Sequence, residues 1–352
     1  MHQIPNLTSL RFILATLVVL FHTPEFFSNR NLPYFNDYSL FLRGNESVWM
    51  FFSLSGFLII RQLFSEKIKS NSINLKRFFL NRIYRIFPLY YLVLIYGFIH
   101  YLIILPKLGF QFENSYNILE GIMLSTTFFS NIFLTYSPGG ILEILWSIGI
   151  EEQFYIVIAP LFYFLPKSKI KTTLILVTVV YLLLFISNVF PLMTTYKMYF
   201  FFFTFSGLCS VFFEKTNFNK LFSKLIYLII LIYLLSNLFK NNFNENQYYI
   251  FSMILFGLFL TVLSKKPIYI LENRTLKYLG TISYGIYMFH AIAMQIVGII
   301  YIKLQIENKI AENLYVISYT FSIIFLTIIM AHLSYKYYES YFLKFKKPKT
   351  HE

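Results

Sequence analysis

The stretch ILEGIMLSTTFFSNIFLT at residues 118–135 decides the topology of this chain. It is long enough to cross a bilayer, yet Glu120, Ser125, Thr126, Thr127, Ser130 and Asn131 interrupt it, so hydropathy alone leaves it undecided. Loop charge decides, because cytoplasmic loops collect Lys and Arg. A hydrocarbon core of about 30 Å takes about 20 apolar residues of helix. Outside 118–135, ten segments qualify, near 8–24, 47–63, 84–105, 145–165, 171–189, 197–213, 224–239, 248–264, 277–302 and 314–338. If 118–135 stays out of the membrane's far side, 20 loop and tail cations fall on one face. Seven fall on the other: Arg30, Arg43, Lys107, Lys197, Lys240, Lys303 and Lys309. If it crosses, the split becomes 10 against 17 and the richest loop lands on the poorer side. The sequence therefore predicts an all-α polytopic membrane protein of about ten transmembrane helices in one bundle, with both termini cytoplasmic. Residues 118–135 are expected as a re-entrant or interfacial helix, covered by protein because irregular backbone at membrane depth must be buried or line a cavity.

Composition points the same way. Of 352 residues, 57% are hydrophobic, 21% aromatic and 13% charged, with a mean hydropathy of +0.61, whereas a soluble domain carries about 25% charged residues. The formal charge of +14 would suggest a nucleic-acid partner in a soluble protein. A chain this apolar has little aqueous surface to offer a duplex, so no nucleic acid is expected and the basic excess orients the protein in lipid. A single cysteine, Cys209, excludes an intramolecular disulfide and any zinc site built on Cys pairs. No two of the six histidines stand at a metal-ligand spacing, so no metal is expected. The first apolar run lacks a basic flank and an A-x-A site, and it reads as a retained span. Residues 1–345 read as one transmembrane domain of the cell (cytoplasmic) membrane, and 346–352 as a basic cytoplasmic tail.

Function is sought where ionisable groups are carried into lipid, at about 2.5–3.5 kcal/mol each on insertion scales. In SLRFILATLVVLFH at 9–22, Arg11 and His22 are eleven positions apart, which puts them on one helix face about 16 Å apart along the axis. Taken alone, they also fit a snorkelling arginine and an interfacial histidine. In SVWMFFSLSGFLI at 47–59, Ser53, Ser55 and Gly56 suit close helix packing, and Ser53 is a candidate cavity-lining residue. In RFFLNRIYRIFPLYYL at 77–92, Arg82 and Arg85 share a face near a helix start with Pro88 following. Two guanidiniums so placed fit phosphate, and fit membrane anchoring equally. In WSIGIEEQFY at 146–155, Ser147, Glu151 and Tyr155 form a stripe at i,i+4 spacing, so Glu151 is expected to have hydroxyl partners and Glu152 to face away toward solvent. In SYGIYMFH at 283–290, Ser283, Tyr287 and His290 line one face.

Together, Arg11 with His22, FFSLSGF at 51–57, RIYR at 82–85 with Pro88, WSIGIEEQFY and SYGIYMFH resemble, in order and spacing, the membrane acyltransferase-3 family over about residues 5–340. The resemblance implies an integral-membrane O-acyltransferase, most often an O-acetyltransferase. Such an enzyme moves an acyl group from cytoplasmic acyl-CoA to a hydroxyl of an extracytoplasmic glycan or glycolipid. It implies no permanently bound cofactor, with acyl-CoA, in the usual case acetyl-CoA, as donor substrate. Carried over by motif, His22, Glu151 and Arg11 are the catalytic candidates, Arg82 and Arg85 the acyl-CoA ligands, and Ser53, Ser147, Tyr155, Tyr287 and His290 candidate cavity-lining residues. His22 is expected either as the base that takes the acceptor's proton or as a carrier that is itself acylated, with Glu151 holding the imidazole. The competing class is a multi-pass transporter or flippase for a glycan or lipid-linked substrate, which would also carry inward Arg, Glu and His but has no need of a phosphate-suited arginine pair.

Overall fold

The computed structural model describes residues 4–30, 32–35, 38–110 and 116–346; most of the basic tail, Lys347 onward, lies outside the described residues. The fold is all-α, and among the described residues there is no strand. The principal helices are α1 (Leu7–Ser28), α2 (Gly44–Ser70), α3 (Leu75–Ile99), α4 (Ile118–Thr126), α5 (Trp146–Phe164), α6 (Ile170–Ile186), α7 (Phe200–Phe212), α8 (Lys220–Leu235), α9 (Glu245–Leu263), α10 (Arg274–Thr281), α11 (Ser283–Lys303) and α12 (Glu312–Ser334). Nine of the ten apolar segments fall largely on one helix each, and 277–302 is divided between α10 and α11 at Ile282. Among the described residues, seven helical stretches are long and apolar enough to span a bilayer. The other three segments are α5, α7 and α8: Glu151, Glu152 and Gln153 lower the apolarity of α5, while α7 has 13 residues and α8 has 16. The protein is thus a polytopic helical membrane protein.

The chain divides into two compact units. The first comprises Met1–Gln62, Lys171–Ile186 and Phe200–Ala331, and the second Leu63–Ile170, Ser187–Tyr199 and His332–Glu352.

In the first unit, small residues set how closely helices approach. A Cβ on Gly56 of α2 would collide with the Phe203 carbonyl oxygen of α7. Beside it, the Ser206 hydroxyl donates to the Ser53 carbonyl. The packing role expected of Ser-x-Ser-Gly is therefore realised, and Ser53 itself lies fully buried at this seam. Gly280 of α10 likewise meets the Thr8 carbonyl of α1 with no room for a Cβ. Arg43 departs from its reading as an exposed loop cation. It is completely buried, paired with Glu46 at 3.2 Å. Its guanidinium also donates to Asn237 Oδ1 at 2.7 Å and to the carbonyls of Leu234 in the last turn of α8 and Ser236 just after it. Tyr248 closes the network by donating to Glu46 at 2.9 Å.

In the second unit, residues 118–135 do not form one helix. α4 has nine residues, about 14 Å of rise against a hydrocarbon core of about 30 Å. The chain then turns at Phe128, whose φ is +64°, and continues as short helical turns over Ser130–Phe133 and Leu134–Tyr136. Carbonyls at the break take side-chain donors. Tyr90 donates to Ser125 O at 2.7 Å, Tyr91 to Thr126 O at 2.9 Å, and Gln153 to Phe128 O at 2.9 Å and Asn131 Oδ1 at 2.8 Å. Gly149 admits this contact, since a Cβ there would lie 2.7 Å from Phe128 O. The start of α3 also corrects a reading. The helix begins at Leu75, so Pro88 stands in its interior rather than near its beginning, and its carbonyl accepts from the Tyr338 hydroxyl at 3.1 Å.

Replacing Gly56→Val should overpack the α2/α7 seam and destabilise the protein by about 1–3 kcal/mol, read as a lower thermal midpoint in detergent. An unchanged midpoint would contradict the close approach. Gln153→Leu should remove about 1–3 kcal/mol by stranding the Phe128 carbonyl, and a thermal melt matching the parent would show that the carbonyl has another donor.

Candidate functional site

Two groups of side chains carry chemistry, one in each unit. In the first unit, α1 presents His22 and, one turn on, Glu25. His22 Nδ1 lies 3.3 Å from Glu25 Oε2. An ionised carboxylate only accepts, so Nδ1 is the donor in this contact, and in the neutral imidazole the lone pair then lies on Nε2. A third of the His22 side chain is exposed. Its ring lies 5.3 Å from that of His290 on α11, inclined by 30°, and Phe21 closes edge-on at 5.2 Å.

His290 is wholly buried. Its Nδ1 points at the Tyr287 carbonyl, and its Nε2 has no hydrogen-bond partner among the described residues. Tyr287 lies 5.7 Å from the His290 ring and 6.4 Å from Phe51 of α2, centroid to centroid. Of the candidates in this unit, the structure brings together His22, Tyr287 and His290. Ser53 sits apart from this group at the α2/α7 seam, and its hydroxyl is buried without a partner among the described residues. Arg11 is half-buried on α1, eleven residues before His22, and it has partners of its own. Glu25 went unread in the sequence, although the i,i+3 interval from His22 was there to be used.

In the second unit, α3 and α5 hold the arginines and the Glu-Glu pair. Arg82 lies over the Phe78 ring at 3.5 Å and near the Tyr155 ring at 5.1 Å, and it donates to Phe78 O at 3.0 Å. Aromatic faces stabilise a guanidinium without neutralising it. Its Nε is buried with no partner among the described residues. Tyr155 donates to Glu151 at 3.1 Å, so the expected hydroxyl partner is present and the stripe brings Arg82, Tyr155 and Glu151 together. Ser147, one turn earlier on the same stripe, is buried.

Glu152 contradicts its expected solvation. It is 5% exposed, one of its oxygens has no partner among the described residues, and it lies within electrostatic reach of Arg82. Spacing gave the direction in which Glu152 points but not what covers it. Arg85, by contrast, is exposed.

These groups provide an accessible imidazole tethered to a carboxylate, and a pair of guanidiniums suited to an anion. Comparison with known proteins gives the class. A candidate acetyltransferase, ORF330 of the Acidianus two-tailed virus, is 27% identical over 288 residues, covering 78% of this chain and 81% of the viral protein. An uncharacterised Haemophilus influenzae protein is 32% identical over 147 residues, 39% of this chain and 56% of that protein. The peptidoglycan O-acetyltransferase OatA of Listeria monocytogenes is 26% identical over 163 residues, which cover 44% of this chain but only 23% of OatA. No solved structure matches the chain. The model of the acyltransferase domain known as acyltransferase-3 matches residues 4–332, nearly the full length, and the chain therefore belongs to that family.

Proposed function

We propose that the protein is an O-acetyltransferase of the cytoplasmic membrane, taking an acetyl group from cytoplasmic acetyl-CoA and placing it on a hydroxyl of an extracytoplasmic glycan or glycolipid. Family membership and the acetyltransferase names of two relatives support the reaction class. The OatA relative favours a glycan acceptor. Residues 1–345 would act as one acyltransferase domain. The excess of loop cations supports ten spans with both termini cytoplasmic.

The observation that carries the proposal is His22, part-exposed on a membrane helix with Nδ1 held by Glu25. As a base, its Nε2 takes the acceptor hydroxyl proton while the oxygen attacks the thioester carbonyl. The C–S bond then breaks, and the departing CoA thiolate takes up a proton. As a carrier, Nε2 itself attacks the thioester, releases CoA and passes the acetyl group on to the hydroxyl. Arg82 and Arg85 bind the phosphates of CoA by charge-assisted hydrogen bonds. Arg11 and Glu151 belong to the same machinery, with Glu151 held by Tyr155, while Glu25 is the carboxylate that orients His22.

His22→Ala should lower acetyl transfer from acetyl-CoA by about 10²-fold or more, with insertion and thermal stability retained; full activity in that variant would remove His22 from the chemistry. The double variant Arg82→Ala with Arg85→Ala should weaken acetyl-CoA binding roughly tenfold or more, measured by titration of the purified protein. An unchanged affinity would return both arginines to membrane anchoring.

A further inference from the structure

The chain after α12 returns to the arginine-bearing helix. A π-helical turn at Tyr335–Glu339 and a short helix at Ser340–Leu343 follow the last span. Two contacts fix the direction of this return. The Tyr338 hydroxyl donates to Pro88 O at 3.1 Å, and seven residues later the Phe345 ring lies 5.8 Å from the Tyr84 ring. The segment therefore descends α3 from position 88 toward position 84, and the next side chain is Lys346, within electrostatic reach of both Arg85 and Arg82.

Three cations gathered on one side of α3 repel one another; Glu152 and Glu151 act on Arg82, which leaves Arg85 and Lys346 to be answered from elsewhere. The nearby carboxylate, Glu339, is buried and accepts from Ser334 at 3.0 Å. Among the described residues it forms no ion pair with Arg85 or Lys346, and neither cation has an ion-pair partner. Burial, and then the charges of Arg85 and Arg82, push the Lys346 ammonium down to about 8. Arg85 and Lys346 without ion pairs, and an Arg82 Nε without a hydrogen-bond partner among the described residues, leave donors that a polyanion would satisfy.

We propose that Lys346 is a third ligand for the donor's phosphates, brought to Arg82 and Arg85 by the segment that folds back from the last span. This rests on the reading of those arginines as the acetyl-CoA phosphate site. An anionic lipid headgroup offers the same phosphate chemistry, and the test separates the two sources.

The full chain is reconstituted in nanodiscs of phosphatidylcholine alone, or with phosphatidylglycerol added, and titrated with acetyl-CoA and with S-acetylpantetheine, which has no phosphates. Lys346→Ala should weaken acetyl-CoA binding about five- to tenfold in the neutral nanodisc, leave acetylpantetheine unaffected, and be rescued to within about twofold by Lys346→Arg. The inference is overturned if Lys346→Ala leaves acetyl-CoA affinity unchanged in neutral lipid, including the case where it alters only the response to phosphatidylglycerol. Equal weakening of both probes would also overturn it, since that reports damage to the fold. The double arginine variant is run in parallel. If it weakens binding and Lys346→Ala does not, only the third ligand falls; if neither weakens binding, the phosphate site itself falls.

Discussion

Hydrocarbon offers a backbone no hydrogen-bond partner, so every peptide group at membrane depth must be answered from within the protein. Intact helices satisfy this internally, and the interesting places in this chain are those where a helix stops. At the turn after α4, three carbonyls are met by Tyr90, Tyr91 and Gln153, and Gly149 leaves the space for that meeting. At the end of α8, the Arg43 guanidinium covers two carbonyls while Glu46 balances its charge. The polar side chains that make the sequence look unlike an ordinary set of spans are in large part there to complete broken backbone. Only after that role is assigned do the remaining polar groups stand out as chemical.

What remains is compact. His22 keeps a lone pair, a tethering carboxylate and partial access, and His290 is buried behind it. Arg82 is cradled by two aromatic rings rather than neutralised by a pair of its own. A side chain held in this way keeps its charge available to a ligand, whereas the closed pair at Arg43 spends its charge on structure. The contrast between the two arginines separates a charge held on aromatic faces from one enclosed in an ion pair more clearly than hydropathy does.

Much of the architecture was legible because lipid imposes a simple rule on composition: apolar runs mark the helices, and the balance of loop cations singles out 118–135, where the structure has a nine-residue helix and a turn instead of one long helix. The i,i+4 stripe was equally direct, since Tyr155 and Glu151 are joined by helix geometry alone. Contacts that depend on tertiary packing were not legible. Nothing in the spacing of the histidines brings His22 beside His290, which come from helices at opposite ends of the chain. Glu152 and Arg43 were assigned to water because charge near a span end usually is, and what covers each side chain is decided by residues remote in sequence. Pro88 misled for a local reason: the charged first turns of α3 read as loop, so the helix looked shorter than it is.

The clasp around Arg43 bears on how the protein is made. Its partners on the far side, Leu234 and Tyr248, lie 191 positions beyond Arg43 and 202 beyond Glu46. At about 5–20 residues per second, the ribosome needs on the order of ten to forty seconds to supply them. During that interval the ion pair lacks the partners that bury it. The clasp closes only once α8 and α9 have been made, which makes it a late event in biogenesis.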